Sequence, residues 1–250
     1  MEERKSPEDL SHEDSARFIL DMFHRIIMHH VLWYTEVRHQ MGTEKALEIL
    51  HTASRQSYEI QMQHLSKALG FEMKEGIPSP LLAMDKAALA DLRDRVAKNW
   101  LANDGVWFQA VEKAEGMNEA KRCNDSCWAQ FSQVEAASIR WLIGLPKNSG
   151  LAGLKQALGF RVYGSINTQS IVDETPTSFV FCMNECRVQV ARKRKGLADY
   201  PCKSAGMVEY SYFARAVDRR IRTECVACPP DSHPDEWYCA WKFILDEEPV

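Results

Sequence analysis

Sliding the chain by 74 positions against itself brings out an ordered set of matches. Trp33 falls on Trp107, Tyr34 on Phe108 and Val37 on Val111. Gly42 falls on Gly116, Ala46 on Ala120 and Gly70 on Gly144. Each copy reads as an aromatic pair on a helix, a glycine stop, a long helix and a second glycine stop. Self-similarity at a fixed period marks a duplicated supersecondary unit. Here the unit is a helical hairpin, and two such hairpins packed together predict a bundle.

The hydrophobic period supports that reading. Phe18, Ile19, Met22, Phe23, Ile26, Ile27 and Trp33 recur at near-helical spacing, which predicts one helix over Ser11 to Met41. Thr43 is the expected N-cap of the next helix, which runs to Gly70. Gly76-Ile-Pro-Ser-Pro80 reads as a loop. Asp85 to Leu101 is helical, and Asn103-Asp-Gly105 is expected to interrupt it before Val106 to Glu115. Asn118 to Ile143 is the last helix of this half.

Beyond 150 the pattern changes. A short helix over Leu151 to Leu158 is followed by period-two stretches near 160–171, 177–185, 220–227 and 237–245. Helices are expected at Arg187 to Lys195 and Val208 to Val217 between them. Strand, strand, helix, helix, strand, strand predicts an antiparallel sheet with helices on one face. The expected class is therefore α+β, with a helical bundle over 1–150 and a cysteine-rich region over 151–250 packed as one unit.

Six of the eight cysteines lie between Phe181 and Phe243: Cys182, Cys186, Cys202, Cys225, Cys228 and Cys239. A thiolate is both a nucleophile and a soft metal ligand. Cys225-Val-Ala-Cys228, with Cys239 and Cys202, offers four thiolates for a zinc ion or an iron–sulfur cluster. The alternative is thiol catalysis at Cys202 or Cys186. Lys203 and the run Arg192 to Lys195 would depress the Cys202 pKa, and Glu209 would serve as acid or base. Arg187 and Lys203 are candidates to meet an anionic ligand. His233 is a candidate base or ligand. A second metal alternative is His29, Glu36 and His39, on one helix face with a Glu-x-x-His spacing. The second copy carries Ala110 and Lys113 at the positions of Glu36 and His39, so no symmetric di-metal site is expected. Cys123 and Cys127 share a helix face, where a small buried residue is the ordinary use of cysteine.

The net charge is −4, which gives no general attraction to nucleic acid or an anionic membrane. Met1 to Asp9 is charged and lacks the apolar core of a signal peptide. The expectation is a cytosolic chain with reduced thiols and a small-molecule substrate or ligand. In that compartment metal binding or catalysis explains the cysteines better than disulfides do.

The C-terminal third resembles the L-2-amino-thiazoline-4-carboxylic acid hydrolase-like family and its cysteine-rich cytosolic relatives. The likeness rests on Cys186 opening a helix that ends at Gly196-Leu197, on Cys202 after a short loop, and on Cys239, Trp241 and Phe243 of a last strand. It covers about residues 178–245, with weaker likeness in the helical half. The resemblance implies hydrolysis of an amide-type C–N bond in a small cyclic substrate.

Overall fold

The computed structural model describes residues 6–196 and 198–248. Met1 to Lys5 and Leu197, the second residue of the Gly196-Leu197 stop, lie outside the described residues. The protein divides into two compact units, one ending at Pro78 and the other beginning at Ser79.

The first unit is a helical hairpin, α1 (His12–Met41) and α2 (Thr43–Leu69), followed by a two-stranded ribbon, β1 (Met73–Lys74) and β2 (Ile77–Pro78). Ser11 caps α1 by accepting from the Asp14 N–H. Thr43 is the first residue of α2; the cap position belongs to Gly42, which has φ 81°. The expected loop at 76–80 is the end of the ribbon and the start of α3 (Ser79–Leu82).

The second unit repeats the hairpin. α4 (Lys86–Glu115) and α5 (Met117–Ile143) have the same lengths as α1 and α2, 30 and 27 residues. The punctuation matches as well. Asp85 caps α4 as Ser11 caps α1. Gly116 has φ 90° against 81° at Gly42, and Gly144 and Gly70 both close their helices in the left-handed region. Asn103-Asp-Gly105 does not interrupt α4. A mid-helix glycine costs only about 1 kcal/mol relative to alanine, which tertiary packing readily outweighs.

A short helix α6 (Gly150–Gly159) leads into the sheet. Its strands are β3 (Thr168–Val172), β4 (Ser178–Glu185), β5 (Ile221–Ala227) and β6 (Cys239–Leu245), in the order β3-β4-β6-β5, all antiparallel. Between β4 and β5 run α7 (Arg187–Arg194) and α8 (Lys203–Val217). The α+β class is as expected, but the boundary is not at 150. The second hairpin belongs with the sheet, because α5 packs along α8.

Small residues are buried in these layers. Ser132 and Ala136 on α5 are fully buried, and Gly206 faces the sheet from α8. A Cβ at Gly206 would stand 2.4 Å from Trp241, so only glycine lets α8 lie this close. The core then fills with Phe179, Phe181, Trp241 and Phe243 from the sheet and with Leu154, Tyr210 and Phe213 from the helices. Tyr210 stacks on Trp241 with centroids 4.9 Å apart.

The first expected strand is shortened. Residues 160–167 turn instead, through a 3-10 turn at Gly164–Ile166. The cause is Arg161. Its side chain is fully buried, with Nε 3.0 Å from Glu135 Oε2 and Nη1 2.6 Å from Glu209 Oε1. The Val162 N–H donates to Glu135 at 2.7 Å, so this backbone is paired to a helix side chain rather than to a strand.

Candidate functional site

Five cysteines gather at one end of the sheet, on the side covered by helices. Cys239 begins β6, with Trp241 and Phe243 on the same face. Cys225 stands directly opposite Trp241 across the β5–β6 ladder and so shares that face. The chain then turns at Cys228-Pro-Pro-Asp231, closed by the Asp231 N–H donating to the Cys228 carbonyl at 2.9 Å. Cys186 stands at the residue before α7 and Cys202 at the residue before α8, neither side chain making a capping hydrogen bond. Cys182 lies on the opposite face with Val180 and Ala240, against Trp237. Cys123 and Cys127 are exposed on α5.

Cys202 and Cys228 meet, with their sulfurs 3.5 Å apart. Three connections hold them there. The Lys203 N–H donates to the Pro229 carbonyl at 2.9 Å, which fastens the start of α8 to the β5 turn. Gln189 of α7 clamps the Tyr200–Cys202 loop: its Oε1 accepts from the Tyr200 N–H at 2.8 Å, and its Nε2 donates to the Tyr200 carbonyl at 2.9 Å. The same Nε2 lies 3.6 Å from Cys202 Sγ.

This arrangement splits the two thiols. The hydrogen bond from Cys228 lowers the Cys202 pKa, against a burial effect that raises it. The same bond, with one to Cys239, keeps the proton on Cys228 and raises its pKa strongly. Burial pushes Cys186 up to about 12, so it is held as a thiol. Burial likewise raises Cys225, although Lys203 opposes it. Among these thiols Cys202 is thus the one whose ionisation its neighbours favour, and it sits at the positive end of a helix dipole.

The basic residues do not act on Cys202 as expected. Lys203 turns to Asp231, 2.7 Å away. Arg192 donates to the Ala198 carbonyl, and Lys193, Arg194 and Lys195 are exposed. Arg187 is exposed, its backbone N–H capped by Asn167 Oδ1 at 2.8 Å. The neighbour that favours the thiolate is Cys228. Glu209 stands two turns along α8 from Cys202, on the order of 10 Å of helix rise. It is engaged by Arg161 and by the Tyr163 hydroxyl, and burial raises its pKa against the pull of Arg161. That engagement makes it an anchor of the core beneath the cysteines rather than a free acid or base. His233 pairs with Asp199 at 3.1 Å.

The expected metal sets fare unequally. His29, Glu36 and His39 are all exposed, and Glu36 hydrogen-bonds Gln40 at 2.6 Å. The outer ligands, His29 and His39, are ten residues apart and so about 15 Å apart along the helix, too far for one ion. Cys202, Cys225, Cys228 and Cys239 do share one side of the sheet. Among the described residues, however, no three His, Cys, Asp or Glu side chains stand in an arrangement that could hold a metal ion.

Sequence reasoning missed Gln189 and Arg161. Gln189 carried a faint signal, as a polar residue three places after Cys186. Arg161 carried none, since its partners are 26 and 48 residues away.

No described helix is long and apolar enough to cross a membrane. No curated protein matches the chain. A family model covers residues 82–245, almost all of the second unit and none of the first hairpin. With about two thirds of its length in that match, the chain belongs to DUF6125, a family of unknown function.

Proposed function

We propose that the second unit is a cytosolic thiol-dependent enzyme, hydrolase-like, that acts on a small anionic molecule with Cys202 as nucleophile. The observation that carries the reading is the Cys202–Cys228 pair, 3.5 Å between sulfurs, a contact that favours ionisation of Cys202 over Cys228. The resemblance to the thiazoline carboxylic acid hydrolase-like family supports the same direction. In such a reaction Cys202 Sγ attacks an amide or amidine carbon. The C–N bond then opens, and the nitrogen takes the proton from Cys228. Water releases the acyl group from sulfur and returns a proton to the pair. Lys203 and Arg187, on the surface nearby, are candidates to hold a substrate carboxylate.

The test is selective alkylation with iodoacetamide at neutral pH, read by peptide mass spectrometry, together with turnover of cyclic amide and amidine carboxylates. Cys202 is expected to be modified first, and Cys202→Ser is expected to abolish turnover. Preferential labelling of Cys123 would defeat the reading.

A second reading is a zinc or iron–sulfur site at Cys202, Cys225, Cys228 and Cys239, without turnover. Zinc–sulfur bonds of about 2.3 Å in a tetrahedron set sulfurs roughly 3.8 Å apart, near the observed 3.5 Å. Metal analysis and an absorption spectrum of protein purified without oxygen decide between the two.

A further inference from the structure

Cys202 and Cys228 stand at the ends of elements rather than inside them. Cys202 is the residue before α8, and Cys228 follows Ala227, the last residue of β5. They are 26 residues apart in the chain, yet their sulfurs are 3.5 Å apart, and both are free thiols. The two backbones are already tied together. The N–H of Lys203, next to Cys202, donates to the carbonyl of Pro229, next to Cys228, at 2.9 Å. A disulfide sets its sulfurs about 2.05 Å apart, so the gap to close from 3.5 Å is about 1.5 Å, a side-chain movement.

The neighbouring thiol is held differently. Cys239 lies within β6, opposite Met183 in the ladder, where the sheet fixes its backbone. Exposure also separates the two partners. Cys202 is half-buried, and Cys228 is 1% exposed. An oxidant arriving from solvent meets Cys202 before Cys228.

We propose that this pair is a site of reversible oxidation by a hydroperoxide, in which Cys202 reacts first and Cys228 resolves it to a disulfide. Cys202 Sγ attacks one peroxide oxygen. The S–O bond forms, the O–O bond breaks, and the other oxygen leaves with the Cys202 proton as water or an alcohol. Cys228 Sγ then attacks the sulfenic sulfur. The S–S bond forms, the S–O bond breaks, and the hydroxyl leaves with the Cys228 proton as water. Two thiols lose two electrons, and one peroxide gains them. The disulfide occupies the thiol that the proposed hydrolysis needs, so it switches that reaction off until a thiol reductant restores it. This consequence rests on the hydrolase reading; the disulfide itself does not.

The experiment treats the reduced full chain with stoichiometric hydrogen peroxide, blocks the remaining thiols with N-ethylmaleimide and maps the peptides by mass spectrometry without reduction. The first product is expected to be the Cys202–Cys228 disulfide, reversed by dithiothreitol. Cys228→Ser removes the resolving thiol. It is expected to raise the sulfenic acid trapped at Cys202 by dimedone by about tenfold. If Cys228→Ser fails to fold, the peptide map of the parent chain decides alone. Thiols that stay reduced, a first disulfide between Cys228 and Cys239, Cys202 sulfinic acid beside a reduced Cys228, or equal dimedone trapping in the two proteins would each overturn the inference. The readout needs no substrate. A chain that forms the disulfide but hydrolyses no amide or amidine loses the hydrolase reading alone, and one that hydrolyses them without forming the disulfide loses this inference alone.

Discussion

The two hairpins share a plan and differ in what they bury. α1 has no buried residue, and α2 has only Ala46. α5, built to the same length and ended by the same kind of glycine, buries seven. The register shows why. Where α5 presents Ser132 and Ala136, α2 presents Tyr58 and Met62. Small residues one turn apart let α8 approach closely, and bulky ones at the same positions do not. One backbone plan thus serves as a core layer in one copy. In the other it leaves Leu20, Ile27 and Leu32 largely exposed. Cysteine follows the same division, since all eight lie in the second unit.

The largest effect expected from this difference is at Arg161. Its guanidinium is wholly buried between Glu135 and Glu209. Arg161→Leu leaves two buried carboxylates without their cation, a loss of about 3–5 kcal/mol in denaturant unfolding. Glu135 corresponds to Gln61 of the first hairpin, and Gln61→Ala should stay within about 0.5 kcal/mol. Similar costs for the two would break the comparison. Next is a matched pair of aliphatic truncations. Ile139 is 5% exposed, and its counterpart Leu65 is only partly buried. Ile139→Ala is expected to cost about 2–4 kcal/mol and Leu65→Ala about half of that. A larger loss at Leu65 would mean that the first hairpin is covered in solution.

The glycines give a smaller effect that should be equal in the two copies. Gly70 and Gly144 are both left-handed, with φ 74° and 66°, and each has open space where a Cβ would stand. Alanine at either is strained by backbone alone, at about 1 kcal/mol. Unequal losses in thermal unfolding would show that the shared punctuation does not reflect a shared build.

That punctuation is why the hairpins were legible in the sequence. Gly42, Gly70, Gly116 and Gly144 act through local φ and ψ, which the residue itself dictates. The strands at 178–185, 221–227 and 239–245 were legible through their alternation. What failed is non-local. The expected strand at Phe160 gave way because Arg161 answers to Glu135 and Glu209, and nothing near position 160 announces them. The division at Pro78 was not legible, because α5 owes its buried Ser132 and Ala136 to a unit that includes α8, about seventy residues on. At the site, the meeting of Cys202 with Cys228 follows from turn chemistry. Gln189, which holds the loop in place, owes its role to the path of the chain.

The smallest effect expected is in the ionisation of Cys202, and it sharpens the contrast among the thiols of the second unit. Cys202 and Cys127 differ in environment rather than in chemistry. Cys127, exposed as a residue, is nonetheless raised by the protein packed around its sulfur and by Asp104. The hydrogen bond from Cys228 lowers Cys202. An ordinary thiol ionises near 8.5, so the midpoint of the alkylation rate should lie below that for Cys202 and above it for Cys127. A folded-state pKa below the unfolded value contributes stability above the unfolded pKa, and that contribution is lost as pH falls through the folded midpoint. Cys228→Ala removes the donor and leaves burial to act alone. It should move the Cys202 midpoint upward and slow its labelling at neutral pH. Rates followed from pH 6 to 10 in both proteins make the comparison. An unchanged Cys202 midpoint in Cys228→Ala would mean that the sulfur contact does not set its ionisation. The helix end and Gln189 would then be the whole source of its reactivity.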